Sequence, residues 1–147
     1  MSRWSSAMPR STNRLLEGLL VAVVDDDESV REALCDLLAV MDIRCHAFDR
    51  AEAFLMDDGV GAFDCLITDV RMPGLSGLDL QDRLRRISPS TPVIFISADT
   101  SAATRARAMT GGAAAFLVKP VDGAVLYGHL RAVLDPGGGG PAGPSDE

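Results

Sequence analysis

The sequence is poor in residues that carry chemistry by themselves. It has three cysteines, two histidines, one tryptophan and one tyrosine among 147 residues. The cysteines (Cys35, Cys45 and Cys65) form no C-x-x-C pair and are odd in number. A disulfide framework is therefore not expected, and a reducing compartment fits best. Cys35 and Cys65 sit in apolar stretches and read as buried, inert thiols. His46 and His129 stand apart without metal-ligand spacing, which predicts surface or half-buried positions. Basic residues are in the minority, 14 against 21 acidic ones, for a net charge of −7. That balance argues against a nucleic-acid-binding face, which needs clustered Lys and Arg to neutralise phosphates. No apolar run approaches the roughly 20 residues of a membrane span, so no membrane partner is expected. Residues 1–13 carry Arg3 and Arg10 but no acid and no apolar core. They lack the form of a secretory signal and read as a disordered arm, within which Met8 is a second candidate start beside Met1.

What is present is apolar residue, at 47% of the chain, enough to build the core of one globular domain at this length. Five short apolar runs, at 19–24, 43–48, 65–68, 93–97 and 115–118, have the length and Val/Ile/Leu/Phe content of strands buried on both faces. Helical spacing fills the gaps. Val30, Leu34, Leu37 and Met41 share one helix face; Leu80, Leu84 and Ile87 share another; Leu126, Leu130 and Val133 a third. Shorter helices are predicted at 51–56 and 102–109, the latter ending at Gly111-Gly112. The 102–109 helix is rich in Ala and short of large apolar anchors, which predicts a mobile element. Strand–helix alternation repeated five times implies a parallel sheet with right-handed crossovers and helices on both faces. The expected fold is α/β, flavodoxin-like, with three α/β/α layers and strand order 2-1-3-4-5. The domain is expected over 19–135, between an N-terminal arm at 1–18 and a Gly/Pro-rich tail at 136–147.

The polar residues that end the apolar runs carry the functional information. The first run ends in Asp25-Asp26-Asp27, the third in Asp69, the fourth in Ser97 and the fifth in Lys119-Pro120. In a parallel sheet these C-terminal ends meet on one edge, and ligands bind there at the switch point between strands one and three. Packed carboxylates repel one another, and a hard cation such as Mg²⁺ relieves them. Lys119 adds a point charge suited to a phosphoryl oxygen, and Ser97 a hydroxyl. A nucleophilic carboxylate, a metal site, a lysine and a hydroxyl together match the needs of phosphoryl transfer. Singly each has a plainer role: Asp27 as the cap of the following helix, Ser97 as a turn residue, Lys119 as a surface lysine. Their joint placement at successive strand ends outweighs those readings. Two other chemistries fit poorly. A phosphate-ester hydrolase needs an acid two residues beyond its nucleophile, where this chain has Arg71; a flavin module needs a Ser/Thr/Gly-rich first loop, where this chain has Asp25-Asp26-Asp27-Glu28.

The segments Val23-Val24-Asp25-Asp26-Asp27, Thr68-Asp69-Val70-Arg71-Met72-Pro73-Gly74, Phe95-Ile96-Ser97-Ala98 and Phe116-Leu117-Val118-Lys119-Pro120 resemble the receiver domain of two-component response regulators. The stretch from Asp69 to Gly77 and Ala51-Glu52-Ala53-Phe54-Leu55 are similar to the FixJ-like subgroup. The resemblance implies a CheY-like fold with Asp69 as phosphoacceptor. It implies Mg²⁺ held by Asp25, Asp26, Asp69 and the backbone carbonyl of Arg71, whose side chain is then free to point outward. Lys119 would bind phosphate ahead of a cis peptide to Pro120, and Ser97 with Phe116 would form the switch pair. A cytoplasmic single-domain regulator follows, phosphorylated by a sensor histidine kinase or phosphotransfer protein and acting on a downstream protein or as a phosphate sink. It would be a monomer or weak homodimer, and not an enzyme in the usual sense. FixJ-like proteins usually add a DNA-binding domain, whereas a Gly/Pro tail follows here. The loop after Ser97 also departs from the subgroup, and Asp99 lies near the path of attacking water.

Overall fold

The computed structural model describes residues 18–57 and 59–134. The expected arm, apart from Gly18, and the expected tail lie outside the described residues. Within them the elements alternate as β1 (Leu20–Val24), α1 (Glu28–Val40), β2 (Arg44–Phe48), α2 (Ala51–Leu55), a 3₁₀ turn (Val60–Ala62), β3 (Cys65–Asp69), α3 (Gly77–Ile87), β4 (Val93–Ser97), α4 (Ala102–Thr110), β5 (Ala115–Val118) and α5 (Gly123–Leu134). All strand pairings are parallel, in the order β2-β1-β3-β4-β5. This is the expected topology.

Side chains of a strand alternate between faces, and the core divides accordingly. Val21 and Val23 of β1 join Ile67, Ile94, Leu117, Leu34, Leu38, Leu126 and Leu130 in one cluster, beneath α1 and α5. Ala22 and Val24 join Leu66, Phe95, Phe54, Leu80, Leu84 and Phe116 in the other, beneath α2, α3 and α4. Each large apolar side chain so buried contributes about 1.5–3 kcal/mol. In α4 only Ala108 is buried, so that helix gains little from this source.

α1, α3, α4 and α5 each start on a side-chain cap from their own loop, whereas α2 has none. Asp27 Oδ1 accepts the N–H groups of Ser29 and Val30 ahead of α1. Ser76 and Asp79 form a reciprocal capping box at α3. Ser101 Oγ accepts Thr104 N–H at α4, and Asp122 Oδ1 accepts Ala124 N–H and Val125 N–H at α5. α4 stops at Gly111, and Gly112 turns the chain with φ +103, a region open to glycine.

Two expectations are corrected. β2 is not buried on both faces: Arg44, His46 and Ala47 are exposed, and Cys45 and Phe48 are half-buried. It is an edge strand, and its apolar content goes into one ring cluster, with Phe48 5.5 Å from Phe54 and 6.1 Å from Phe63. The cysteines are not all free either. Cys35 of α1 and Cys45 of β2 form a disulfide with Cα atoms 5.6 Å apart. The turn at Met41–Asp42, where Asp42 adopts φ +63, folds β2 back along α1 and brings the two together. Cys65 remains a free buried thiol, and burial pushes its pKa up to about 12. Among the described residues no helix is long and apolar enough to cross a membrane.

Candidate functional site

The parallel register carries the ends of β1, β3, β4 and β5 to one edge. Val24 pairs with Thr68, Asp69 with Ile96, and Ser97 with Val118. The next residues of β1 and β5 are Asp25 and Lys119. Lys119 Nζ lies 2.9 Å from Asp25 Oδ2 and 3.0 Å from Asp69 Oδ2. Carboxylate oxygens of Asp25, Asp26 and Asp69 all fall within 4.8 Å of one another. The structure thus brings Asp25, Asp26, Asp69 and Lys119 together, as the strand-end argument requires.

Their environments differ. Asp25 is wholly buried and Asp69 nearly so, whereas Asp26 is exposed. Asp25 is fixed from several sides. Its N–H donates to the Phe48 carbonyl, its Oδ1 accepts Asp27 N–H at 2.9 Å, and its own carbonyl accepts Arg31 Nη1 at 2.8 Å. Burial holds the Asp25 carboxyl above its ordinary pKa, with Asp69 adding to the rise, although Asp27 N–H and Lys119 oppose it. Burial alone would lower the Lys119 ammonium, but contacts with Asp25 and Asp69 outweigh it and raise its pKa. Asp25 Oδ2 is buried and accepts no well-aligned hydrogen bond, even with the ammonium 2.9 Å away. Three acids face one lysine, and an oxygen of the most buried acid is left short. Such an all-oxygen, anion-rich set suits a hard divalent cation.

Ser97 is 1% exposed, and its Oγ accepts Asp99 N–H at 2.9 Å. Its carbonyl accepts Lys119 N–H, which couples β4 to the lysine's backbone. Phe116 is buried on β5, its ring 6.3 Å from that of Phe95 and 5.6 Å from the Arg105 guanidinium. The Lys119–Pro120 peptide is cis. Arg71 N–H points at Asp69 Oδ1 over 3.4 Å. The Arg71 side chain does point outward, but it is not free: its Nε donates to Asp99 Oδ2 at 3.2 Å, and Nη2 grips the same oxygen.

Three further residues support the site. Asp99 binds Arg71, Ser101 N–H and Thr104 Oγ1, and Arg71 above all holds its carboxyl well below the usual carboxylate range. Glu52 of α2 accepts Leu75 N–H, fastening the loop after Asp69. Gly77 opens α3 directly against the end of β3, its N–H donating to the Val70 carbonyl at 2.8 Å. Of the three, the sequence singles out Asp99, in the loop after Ser97; the contacts of Glu52 and Gly77 have no signal of their own in it. His46 is exposed and stacked on Phe48, and His129 is half-buried.

Known proteins are similar to this chain in sequence and fold. A family described as "Response regulator receiver domain" matches residues 21–131. The response regulator protein TmoT of Ectopseudomonas mendocina is 41% identical over 115 residues, covering 78% of this chain and 52% of that protein. The transcriptional regulatory protein FixJ of Azorhizobium caulinodans is 41% identical over 119 residues, covering 80% of this chain and 56% of that protein. The chain therefore spans about half the length of these curated relatives. Among solved structures, the chemotaxis protein CheY4 of Vibrio cholerae superposes with a TM-score of 0.74 at 26% identity, over 80% of this chain and 99% of that one. The BeF3-activated DrrB receiver domain gives 0.74 at 25% identity, over 80% of this chain and 98% of that one. With the family matched across the whole sheet and its strand-end acids in place, this chain belongs to the response regulator receiver domains of two-component systems.

Proposed function

We propose that the chain is a phosphoacceptor, taking a phosphoryl group on Asp69 from a sensor histidine kinase or phosphotransfer protein in the cytoplasm. The observation that carries this reading is the lysine shared between two acids: Nζ of Lys119 lies 2.9 Å from Asp25 Oδ2 and 3.0 Å from Asp69 Oδ2. A carboxylate oxygen of Asp69 attacks phosphorus, the donor's N–P bond breaks, and the departing imidazole nitrogen takes up a proton. Lys119 holds a phosphoryl oxygen as charge spreads over the group, and the Ser97 hydroxyl turns to hold another. Asp25, Asp26, Asp69 and the Arg71 carbonyl are the groups that would hold Mg²⁺. The ion, when bound, neutralises charge on the phosphoryl oxygens.

An apolar groove lined by Val30, Ala33, Leu37, Pro120 and Val121 runs up to Lys119, and offers a donor protein a seat beside Asp69. The domain assists its own phosphorylation and later hydrolysis, and serves signalling rather than turnover. Phe116 pairs with Ser97 to pass the change to β5 and α4, which alters binding of a downstream protein or drains phosphoryl groups from the kinase. The protein acts as a monomer or weak homodimer.

The test is incubation with acetyl phosphate and Mg²⁺, read by intact mass. Addition of one phosphoryl group is expected in the natural protein, and none in Asp69→Asn or in the presence of EDTA. An Asp69→Asn protein labelled at the same rate refutes the assignment.

A further inference from the structure

We propose that Arg71 and Asp99 are positioning residues. They form a clasp between the two loops beside Asp69, and its release frees the Ser97 hydroxyl to engage the phosphoryl group. This deepens the phosphoacceptor reading and rests on it.

Arg71 lies two residues beyond Asp69 in the β3–α3 loop; Asp99 lies two residues beyond Ser97 in the β4–α4 loop. Their contact ties those loops directly, through Nε at 3.2 Å and Nη2 to Asp99 Oδ2. The same oxygen accepts Thr104 Oγ1 at 3.1 Å, and Oδ1 accepts Ser101 N–H at 2.8 Å. Asp99 is thereby pinned from the loop on one side and from the first turn of α4 on the other. Its backbone N–H is in turn the donor to Ser97 Oγ at 2.9 Å. The Ser97 hydroxyl cannot turn toward a group on Asp69 without giving up or re-aiming that bond. The rotation is therefore coupled to whether Asp99 stays where Arg71 holds it.

The strength of the clasp suits a restraint that must open. A charge-assisted fork is stronger than a neutral hydrogen bond, yet the Arg71 side chain is 72% exposed, so water and salt weaken it. The helix it steadies has the same character. α4 buries only Ala108. Its far end is tied by polar contacts from α3, with Gln81 Nε2 donating to the Ala108 carbonyl at 3.1 Å and Arg85 Nη1 to the Gly111 carbonyl at 2.6 Å. A helix held by polar ties at both ends shifts at low cost once one end is released. The plainer account is that Asp99 merely turns the chain into α4 through Ser101 N–H. That account gives Arg71 no part in the behaviour of Ser97.

The experiment compares the natural protein with Arg71→Ala, Arg71→Lys, Asp99→Asn and the Arg71→Ala/Asp99→Asn double variant, with circular dichroism to verify folding. Affinity for beryllofluoride and the rate of labelling by acetyl phosphate should each rise about two- to five-fold in Arg71→Ala and in Asp99→Asn, the scale on which an exposed ion pair restrains a group. The double variant should rise no further than either single one, as expected of partners in one contact, and Arg71→Lys should return part of the restraint. Without any phosphodonor, hydrogen exchange of the Asp99 amide should quicken by a similar factor in Arg71→Ala. Unchanged exchange in that variant, or effects that add in the double variant, overturns the clasp. Because the exchange arm uses no phosphodonor, an unlabelled natural protein counts against the phosphoacceptor reading alone, and the clasp is still judged on the Asp99 amide.

Discussion

Replacement of Gly77 by alanine tests how the site is built. Gly77 begins α3 against the end of β3, and a Cβ there would overlap the Asp69 carbonyl oxygen, with the carbonyl carbon 3.0 Å and Val70 Cα 3.1 Å away. Carbon atoms settle at about 3.5–4.0 Å, and the overlapped oxygen must retreat further still, so the helix start and the strand end must part by about 1 Å or more. They are also joined by the Gly77 N–H to Val70 carbonyl hydrogen bond at 2.8 Å, which lengthens or breaks. The clash is with backbone, so no side-chain rotation relieves it. Overpacking costs about 1–3 kcal/mol, and the weakened hydrogen bond adds about 0.5–1.5 kcal/mol. The expected loss in urea unfolding is therefore about 2–4 kcal/mol. The displaced residue is Asp69 itself, and a misplacement of about 1 Å costs on the order of 100-fold in rate. Labelling by acetyl phosphate should fall by that order even at a temperature where the variant is folded. Gly128→Ala is the control: it lies in α5 with nothing within 4 Å of its Cβ position, and should stabilise by about 0.5–1 kcal/mol through helix propensity. A Gly77→Ala protein as stable as the natural one, with unchanged labelling, would refute the contact as a determinant of Asp69's position.

Two further outcomes follow from the charges and the cysteines. Asp25 is buried with a raised pKa, and its Oδ2 relies on a Lys119 ammonium that it shares with Asp69. In EDTA at neutral pH, Asp25→Asn should raise stability by about 1–2 kcal/mol, the scale of an under-paired buried group. The sign is set by linkage: the folded carboxyl holds its proton to higher pH than the unfolded one, so the natural protein loses stability as pH rises from the ordinary carboxylate range through the raised value. Above that value the loss is complete, and Asp25→Asn removes this segment of the pH profile. Added Mg²⁺ should raise the melting temperature of the natural protein more than that of the variant; a variant less stable than the natural protein in EDTA contradicts the account. The Cys35–Cys45 bond closes a loop of sequence separation 10, for which chain entropy gives about 2–3 kcal/mol. Dithiothreitol should lower unfolding stability by that amount, and alkylation of the unfolded, unreduced protein should modify Cys65 alone. Three alkylated thiols under those conditions contradict the disulfide.

The parts of the site legible in the sequence are those that ride on strands. Asp69, Ser97 and the neighbours Asp25 and Lys119 each end an apolar run, and a parallel sheet aligns such ends whatever the loops do. The sheet order follows from the same runs. Contacts that depend on the path of a loop were not legible. Nothing in the spacing of Arg71 and Asp99 says that two separate loops bend toward each other, and Glu52 reaches Leu75 from a different helix. The edge position of β2 was hidden because Ile43, Cys45 and Phe48 look like a buried strand until the neighbours are counted. The disulfide was hidden for a related reason. Its spacing matches no motif, and only the left-handed turn at Asp42 sets α1 and β2 side by side.

The charges around Asp69 explain why Asp25 is the acid to test first. Lys119 divides its ammonium almost evenly, 2.9 Å to Asp25 and 3.0 Å to Asp69. Asp26 is exposed, and water screens its charge. On the proposed reading Asp69 exchanges its own charge for that of a phosphoryl group, so the demand on the lysine would grow at that position. Lys119 can meet the demand only by leaning away from Asp25, the one acid of the three with no exposure at all. Asp25 Oδ2 would then stand buried, charged and without a partner, which costs more than any hydrogen bond gained at the phosphoryl oxygen. Lys119 is therefore free to follow the phosphoryl group only when the charge of Asp25 is balanced by something else. On the proposed reading, Asp25 thus decides whether the lysine can serve a phosphoryl group on Asp69.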